Sequence, residues 1–289
     1  MKEKIKKVLE ITNIKDIIQV YDSEEDYTYN VWKIITDSNI YILKKVKEYE
    51  LFIYENYLSK LELGVPKYIN SYVIDNERYF LSEFVEGNTF NKCNRKDLIN
   101  VLDTLIYTQK RFWNYDEVPN GYSFEDSLNN RIKRIDYLKN KSFFNYYEEY
   151  LNMYKEIPKT LCNDDLLPFN VIINDDKANI IDWEYGGILP YPTALVRLLA
   201  HSKNDENYIF YMSDEDKKFA FKYYYDNFIK DYNISYEEYM KHIFYFLIYE
   251  YSEWIYVATK NNEETELSKY YEEKINELIN EASNKNKRC

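Results

Sequence analysis

Three oxygen-bearing side chains lie close together in the middle of the chain. Asp165 and Asn170 are five residues apart across a loop that contains Pro168, and Asp182 follows at the end of the next short apolar segment. The segments VIIN and NIIDW flank the turn residues DDKA, as the two strands of a hairpin would. Phosphoryl transfer needs a carboxylate that orients the attacking hydroxyl group and oxygen ligands that hold magnesium. A loop followed by a hairpin can supply both.

The segment DDLLPFNVIIND, followed by NIIDWEYGG, resembles the catalytic loop and metal-binding strand of aminoglycoside phosphotransferases, choline kinases and related spore-coat kinases. The usual pattern in that superfamily is HxDxxxxN followed by IDWE. The resemblance implies that Asp165 is the base or hydroxyl-orienting residue, that Asn170 binds magnesium, and that Asp182 bridges the metal to the phosphates. It also places Glu184 among the residues around the acceptor and the metal.

Two positions depart from the pattern of these kinases. The usual histidine of the catalytic loop is Asn163, and the aspartate of a downstream DLAR-like helix start aligns with Ala194. Either Asn163 bonds what the histidine would have bonded, or catalysis is weakened. Because the base, both metal ligands and an upstream lysine remain, an active enzyme is favoured over a pseudokinase.

The elements around this centre predict a two-lobed α+β protein with a protein-kinase-like fold. Five segments rich in β-branched and aromatic residues predict an antiparallel sheet: IIQVYD, YNVWKII, NIYILKKV, YINSYVID and RYFLSEFV. An amphipathic helix over 48–63 interrupts it and ends at Gly64 and Pro66. After Gly87 most segments follow a 3.6-residue period. We therefore predict a nucleotide-binding lobe over 1–86, a helical catalytic and acceptor-binding lobe over 87–283, and a frayed tail over 284–289.

The strand segment YILKK provides the lysine that a nucleotide-binding lobe needs to neutralise phosphate charge. Strand alternation puts Ile42 and Lys44 on one face and Lys45 on the other, so Ile42 would pack on adenine while Lys44 reaches the phosphates. The lysine also needs a helix glutamate. Glu50 fits the family pattern best, and Glu55 is the alternative.

The nucleotide would also meet backbone groups of two further segments. YFLSEFVEG resembles the hinge between kinase lobes, where the Glu83 carbonyl and the Val85 amide would bond the adenine edge. The phosphate-covering loop would be DSEEDYTYNV, which contains no glycine and would use short polar side chains such as Ser23 and Asn30. The implied cofactors are Mg²⁺ and ATP, and the residues do not distinguish ATP from GTP.

The segment IYEYSEWIYVATKNN near the C-terminus resembles in position and character the SxxxWxxW region of choline kinases. It predicts an acceptor site formed by Glu250, Tyr251, Glu253 and Trp254. Aromatic rings with acids nearby suit a quaternary ammonium group or an amino sugar through cation–π and charge attraction. The alternative is that this aromatic stripe is ordinary helix core.

Composition narrows the functional class. The 289 residues carry a formal charge of −12, which disfavours non-specific nucleic-acid binding and favours a cationic ligand. No apolar run is long enough to cross a bilayer, so we expect a soluble, cytoplasmic monomer or homodimer that does not bind membranes. Cys93, Cys162 and Cys289 are widely spaced and are expected to be free thiols.

Three functional classes follow from these patterns. The first is an ATP-dependent kinase acting on a hydroxyl group of a small, cationic molecule such as an aminoglycoside, a choline-like alcohol or an amino sugar. The second is a kinase-fold binding or structural protein like a spore-coat component. A protein kinase ranks last, since no APE-type segment or long activation loop follows Asp182.

Overall fold

The computed structural model describes residues 1–9, 11, 13–22, 26–117, 120–175 and 177–286. The N-terminal elements are α1 (Lys2–Val8), β1 (Ile14–Asp22), β2 (Tyr27–Thr36), β3 (Ile40–Lys45), α2 (Glu48–Asn56), β4 (Tyr68–Ile74) and β5 (Glu77–Glu83). The five strands form one antiparallel sheet in the order β1-β2-β3-β5-β4. The predicted five-stranded sheet is therefore confirmed.

One face of this sheet is apolar because alternate strand residues point to the same side. Ile17, Trp32, Ile34, Leu43 and Leu81 are buried there. Ile5 of α1 and Leu9, which follows the helix, are buried in the same cluster, and Val8 packs against it. The other face of the sheet packs on helix α2, where Tyr54 stacks on Phe80 of β5 with ring centroids 4.4 Å apart.

Helix α2 is shorter than predicted. It ends at Asn56, and a single 3₁₀ turn, Leu58–Lys60, continues the chain. At the predicted stop, Gly64 has a φ of 83°, in the left-handed region. A Cβ at this position would lie only 2.6 Å from Thr104 Cγ2. Only glycine fits this position without strain.

The remaining elements are mainly helical. They are β6 (Asn88–Thr89), α3 (Arg95–Arg111), α4 (Phe124–Ile132), α5 (Ile135–Leu138), α6 (Phe144–Glu156), β7 (Lys159–Asn163), β8 (Val171–Asn174), β9 (Lys177–Ile180), β10 (Gly186–Pro190), α7 (Pro192–Ala200), α8 (Asp214–Asn227), α9 (Tyr236–Lys260) and α10 (Glu266–Asn286). The predicted hairpin is β8 paired with β9, and β7 pairs with β10 beside it. The described residues contain no helix that is long and apolar enough to cross a membrane.

Ser213 and Ser235 cap α8 and α9, and each side chain accepts a hydrogen bond from the backbone amide three residues ahead. Helix α10 runs to Asn286, and the predicted fraying of residues 284–289 stays a prediction. Cys93 and Cys162 are buried free thiols, and Cys289 lies outside the described residues.

Candidate active site

Lys44 joins the sheet to the catalytic loop region. Its Nζ lies 2.6 Å from Glu50 Oε1 of α2 and 2.9 Å from Asp182 Oδ1, which is 138 residues further along the chain. Lys45 faces the other way and pairs with Glu77 at 3.0 Å. The structure thus brings together the lysine, the helix glutamate and the metal-strand aspartate that the sequence singled out. Glu55, the alternative to Glu50, instead accepts a hydrogen bond from the Tyr68 hydroxyl group.

Burial and charge oppose each other at the Lys44–Glu50 pair. Burial raises the pKa of Glu50 to about 7, although Lys44 acts to lower it. Burial acts to lower the pKa of Lys44, but Glu50 and Asp182 together raise it above its usual value. Lys44 is therefore held as a cation, as phosphate binding requires, while the charge of Glu50 is sensitive to pH near neutrality.

The catalytic loop is held by its own backbone and one amide side chain. A 3₁₀ turn, Pro168–Asn170, follows Asp165, and Asn170 Nδ2 donates to the Asp165 carbonyl at 2.9 Å. The Asn170 carbonyl accepts from the Ile181 amide at 2.9 Å, which ties the loop to the end of β9. Since the Asn170 NH₂ group is used inside the loop, its amide oxygen remains as a candidate ligand.

The residues around Asp182 fit a magnesium ion. Asp182 has a φ of 55°, and its carboxylate is 46% exposed. Carboxylate oxygens of Glu50, Asp182 and Glu184 lie within 4.8 Å of one another. Glu184 accepts hydrogen bonds from Lys47 and from the Tyr49 hydroxyl group. These three carboxylates are hard oxygen donors of the kind that Mg²⁺ prefers, as is the amide oxygen of Asn170.

Asn163 occupies the place of the usual histidine and makes two backbone hydrogen bonds. Its Nδ2 donates to the Asp182 carbonyl at 2.9 Å, and its Oδ1 accepts from the Asp165 amide at 3.0 Å. The side chain is buried, so both bonds are shielded from water. Asn163 thus links the backbone of Asp165 to that of Asp182, which supports the compensated alternative.

Ala194 provides no such replacement. It is fully buried in α7 and contributes no polar group. The hydroxyl oxygen of the preceding residue, Thr193, is buried and has no hydrogen-bond partner among the described residues. Asn163 thus supplies polar contacts at the first of the two departing positions, and Ala194 supplies none at the second.

Arg197 of α7, which sequence reasoning missed, binds Asp165 directly. Its Nη2 lies 2.7 Å from Asp165 Oδ1, and its Nη1 contacts Glu253 and lies 3.0 Å from Glu250 Oε2. Burial raises the pKa of Asp165, and Arg197 opposes that rise. The one sequence signal for this residue was a lone arginine within an otherwise apolar helix, TALVRLL.

Asp164 forms a second network beside Asp165 that was also missed. Arg131 of α4 grips its carboxylate with two nitrogens at 2.6 and 2.9 Å, and Ser127 and Tyr122 donate to the same group. Burial acts to raise the pKa of Asp164, but Arg131 and these hydrogen bonds lower it below its usual range. Two adjacent aspartates thus have different environments: Asp164 is fully bonded, and Asp165 faces a cleft.

That cleft has a volume of about 390 Å³ and lies between α4, the catalytic loop, α7 and α9. Asp165, Arg197, Glu250 and Glu253 line it. Its other lining residues are Tyr122, Asn130, Arg131, Lys133, Arg134, Asp164, Tyr185, Tyr249 and Tyr256. Two of the four acceptor residues predicted on α9 thus face the proposed base.

Tyr251 and Trp254 do not line this cleft, and their acceptor role stays a prediction. Tyr251 packs against Tyr271 of α10 with ring centroids 5.5 Å apart, and Trp254 is 40% exposed outside the cleft. At about 100° per residue, positions 249, 250, 253 and 256 share one face of α9, and Tyr251 points nearly the opposite way. The aromatic residues of α9 in the cleft are therefore Tyr249 and Tyr256.

The remaining predicted nucleotide contacts stay predictions. Ile42 lies on β3 two residues before Lys44, and Glu83 ends β5 with Val85 just after it. Asn30 is exposed on β2. Ser23 lies outside the described residues.

Solved structures with the same fold are small-molecule kinases by name. An aminoglycoside phosphotransferase from Alicyclobacillus acidocaldarius superposes with a TM-score of 0.62 at 12% identity, covering 93% of this chain and 90% of that one. A choline kinase from Cryptosporidium parvum gives 0.58 at 14%, covering 94% and 90%. A thermostable mutant of aminoglycoside phosphotransferase APH(4)-Ia, in complex with ADP and hygromycin B, gives 0.57 at 12%, covering 96% and 97%. These likenesses confirm the predicted fold.

The similarity in sequence to a known protein covers less of the chain than the similarity in structure. Protein LicA of Haemophilus influenzae is 28% identical over 133 residues, which are 46% of this chain and 41% of LicA. The match thus spans less than half of LicA's own length. No protein-family model matches the chain.

Proposed function

We propose that this protein is a kinase that transfers the γ-phosphoryl group of ATP to a hydroxyl group of a small molecule. One observation carries the proposal: Lys44 Nζ contacts both Glu50 and Asp182, which come from different parts of the fold. A lysine held between a helix glutamate and a metal-binding aspartate is the arrangement that phosphoryl transfer requires for its phosphates. The complexes of neighbours with ADP and AMP-PNP support a nucleotide ligand.

In this proposal each residue has a defined task. Lys44 neutralises phosphate charge, and Asp182 with Asn170 holds Mg²⁺, which would offset the charge that develops on the phosphates. Asp165 orients the acceptor hydroxyl group and accepts its proton. Asn163 keeps the backbone of Asp165 and Asp182 in register through its two hydrogen bonds. Ser23, Asn30, Ile42, Glu83 and Val85 are kept as proposed nucleotide contacts, in a protein that acts in the cytoplasm.

The acceptor site of the proposal is the cleft beside Asp165. Hygromycin B is bound in one neighbour, and another is named as a choline kinase, which supports the cationic acceptor predicted from the sequence. The charges that line this chain's own cleft instead favour an anionic acceptor, because each carboxylate there already contacts a protein cation.

A binding or structural role is the second candidate. The observation that favours it is the ion pair between Arg197 and Asp165, which occupies the proposed base. In an active kinase the acceptor hydroxyl group must take part of that contact. In a binding protein the ion pair would be permanent.

The test is a coupled assay for ADP release with Mg²⁺, ATP and a panel of hydroxyl acceptors. The wild-type protein is compared with Asp165→Asn, which keeps the shape of the side chain and removes the base. Turnover by the wild type and its loss in the variant support the kinase. Equal rates in the two proteins for every acceptor favour the binding role.

A further inference from the structure

The cleft beside Asp165 contains as many acidic as basic side chains, but only the acidic ones are all paired within the protein. Asp164 is bonded by Arg131, Asp165 by Arg197, and Glu250 by Arg197 at 3.0 Å. Glu253 contacts Arg197 and lies 3.6 Å from Arg134. Each of these four carboxylates therefore has a cation beside it before any ligand enters.

Two cations of the cleft still have free hydrogen-bonding capacity. Arg134 Nη1 is buried and has no hydrogen-bond partner within the described ranges of the chain. The carboxylate beside this guanidinium is Glu253, at 3.6 Å, which is longer than a hydrogen bond. Lys133 is exposed at the rim, and its amine donates to the Asn130 amide oxygen at 3.4 Å. A buried donor without a partner is costly, so a ligand that satisfies it gains affinity.

The two tyrosine rings that α9 contributes to the cleft are already in contact with the protein's own guanidinium groups. Arg131 Cζ lies 4.4 Å from the ring centroid of Tyr249, and Arg134 Cζ lies 4.8 Å from the same ring. Arg134 also lies 5.3 Å from the ring of Tyr256. A quaternary ammonium or amino-sugar cation would have to displace these contacts, and the charge of Arg134 and Lys133 would repel it.

We propose that the acceptor is an anionic hydroxy compound, whose carboxylate or phosphate group binds at Arg134 and Lys133 while its hydroxyl group meets Asp165. This proposal rests on the kinase function proposed above. Asp165 and Arg134 line the same cleft of about 390 Å³ and are linked through Arg197 and Glu253. A single small molecule in this cleft can therefore meet both residues. The acceptor hydroxyl group gives its proton to Asp165 as its oxygen bonds to the γ-phosphorus, and the bond to the β-phosphate oxygen breaks to release ADP.

Four compounds with a similar carbon skeleton and different charges distinguish the effect of the acceptor's charge from that of its shape. Gluconate, glucose 6-phosphate, glucose and glucosamine are tested with Mg²⁺ and ATP for ADP release, and with AMP-PNP for a rise in melting temperature. Gluconate and glucose 6-phosphate distinguish a carboxylate from a phosphate. The variants are Arg134→Gln and Lys133→Gln, with Arg78→Gln as the matched control, because Arg78 lies on β5 and pairs with Glu48 at 3.3 Å.

We expect at least one of the two anions to bind or react better than glucose, and glucosamine worst. Arg134→Gln should raise KM for that anion about tenfold or more with a smaller change in kcat, whereas Arg78→Gln should match the wild type. Binding of glucosamine above both anions, no binding of either anion at millimolar concentration, or an unchanged KM in Arg134→Gln would each overturn the anion site. The kinase function is tested separately by nucleotide binding. If the protein does not bind Mg²⁺-ATP, or binds it equally well without Lys44, the kinase proposal itself fails.

Discussion

Arg197 Nη2 lies 2.7 Å from Asp165 Oδ1, so the proposed base of the reaction is an ion-paired carboxylate. Arg197 is itself buried and contacts Glu250 and Glu253 of α9. Asp165 is thus connected to Glu250 and Glu253 through a single side chain. A ligand that displaces either glutamate from Arg197 can therefore alter the Asp165 ion pair without moving the backbone.

Arg197→Lys is expected to shift the pH profile of the reaction. Lysine keeps the charge but loses the planar fork that bonds Asp165 and the two glutamates together. With less opposition to the effect of burial, the pKa of Asp165 should rise further, and the acidic limb of kcat/KM should move to higher pH. The measurement is kcat/KM against pH for both proteins. Superimposable profiles would show that Arg197 does not act on the base.

Replacement by asparagine should mainly lower stability at Asp164 and mainly lower kcat at Asp165. Asp164→Asn leaves the Arg131 guanidinium, which is 1% exposed, without its counter-ion and should cost about 3–5 kcal/mol in the free energy of unfolding. Asp165→Asn, at a partly exposed site, should change it by about 1 kcal/mol or less and should lower kcat roughly 10²- to 10⁴-fold. Urea unfolding and the ADP-release assay provide the two numbers. A similar loss of stability in both variants would contradict the separate environments of the pair.

Asn163 is expected to tolerate histidine better than alanine. Asn163→Ala removes the donor to the Asp182 carbonyl and the acceptor of the Asp165 amide, leaving two backbone groups unpaired, at a cost of about 1–3 kcal/mol for each buried group left without a partner. Asn163→His can restore the donor. We expect kcat to fall in the alanine variant and to recover at least partly in the histidine variant. Equal activity of all three proteins would mean that this network does not position the site.

Glu50 should make stability depend on pH near neutrality. Its pKa of about 7 in the folded protein lies above the ordinary 4.5, so the folded state takes up a proton between these values that the unfolded chain does not. The contribution of this group is therefore complete below the ordinary pKa and is lost as pH rises through about 7. Relative to Glu50→Gln, the melting temperature of the wild type should fall by a few degrees between pH 5 and pH 8. Parallel curves for the two proteins would rule out the raised pKa.

The parts of the site that the sequence predicted are those with a local pattern. Strand alternation separates Lys44 from Lys45, and resemblance to the family's helix pattern singled out Glu50. Resemblance to the HxDxxxxN pattern singled out Asn170, whose side chain bonds the Asp165 carbonyl. Each of these signals lies within a short stretch of sequence.

The parts that were missed depend on contacts between distant segments. Arg197 reaches back 32 residues to Asp165, and Arg131 reaches forward 33 to Asp164. No periodicity marks either pairing. The sequence also does not mark which face of α9 lines the cleft, because aromatic residues occur on all sides of this helix and spacing alone cannot distinguish Tyr249 from Tyr251.

The most direct test of the central claim compares two adjacent lysines by calorimetric titration with Mg²⁺ and AMP-PNP. Lys44→Met removes the cation that contacts Glu50 and Asp182, whereas Lys45→Met removes one on the opposite face, where it pairs with Glu77. We predict that the wild type and Lys45→Met bind the nucleotide with the same affinity and that Lys44→Met binds at least tenfold more weakly. No binding by the wild type, or equal binding by all three proteins, would contradict a phosphoryl-transfer centre built on Lys44.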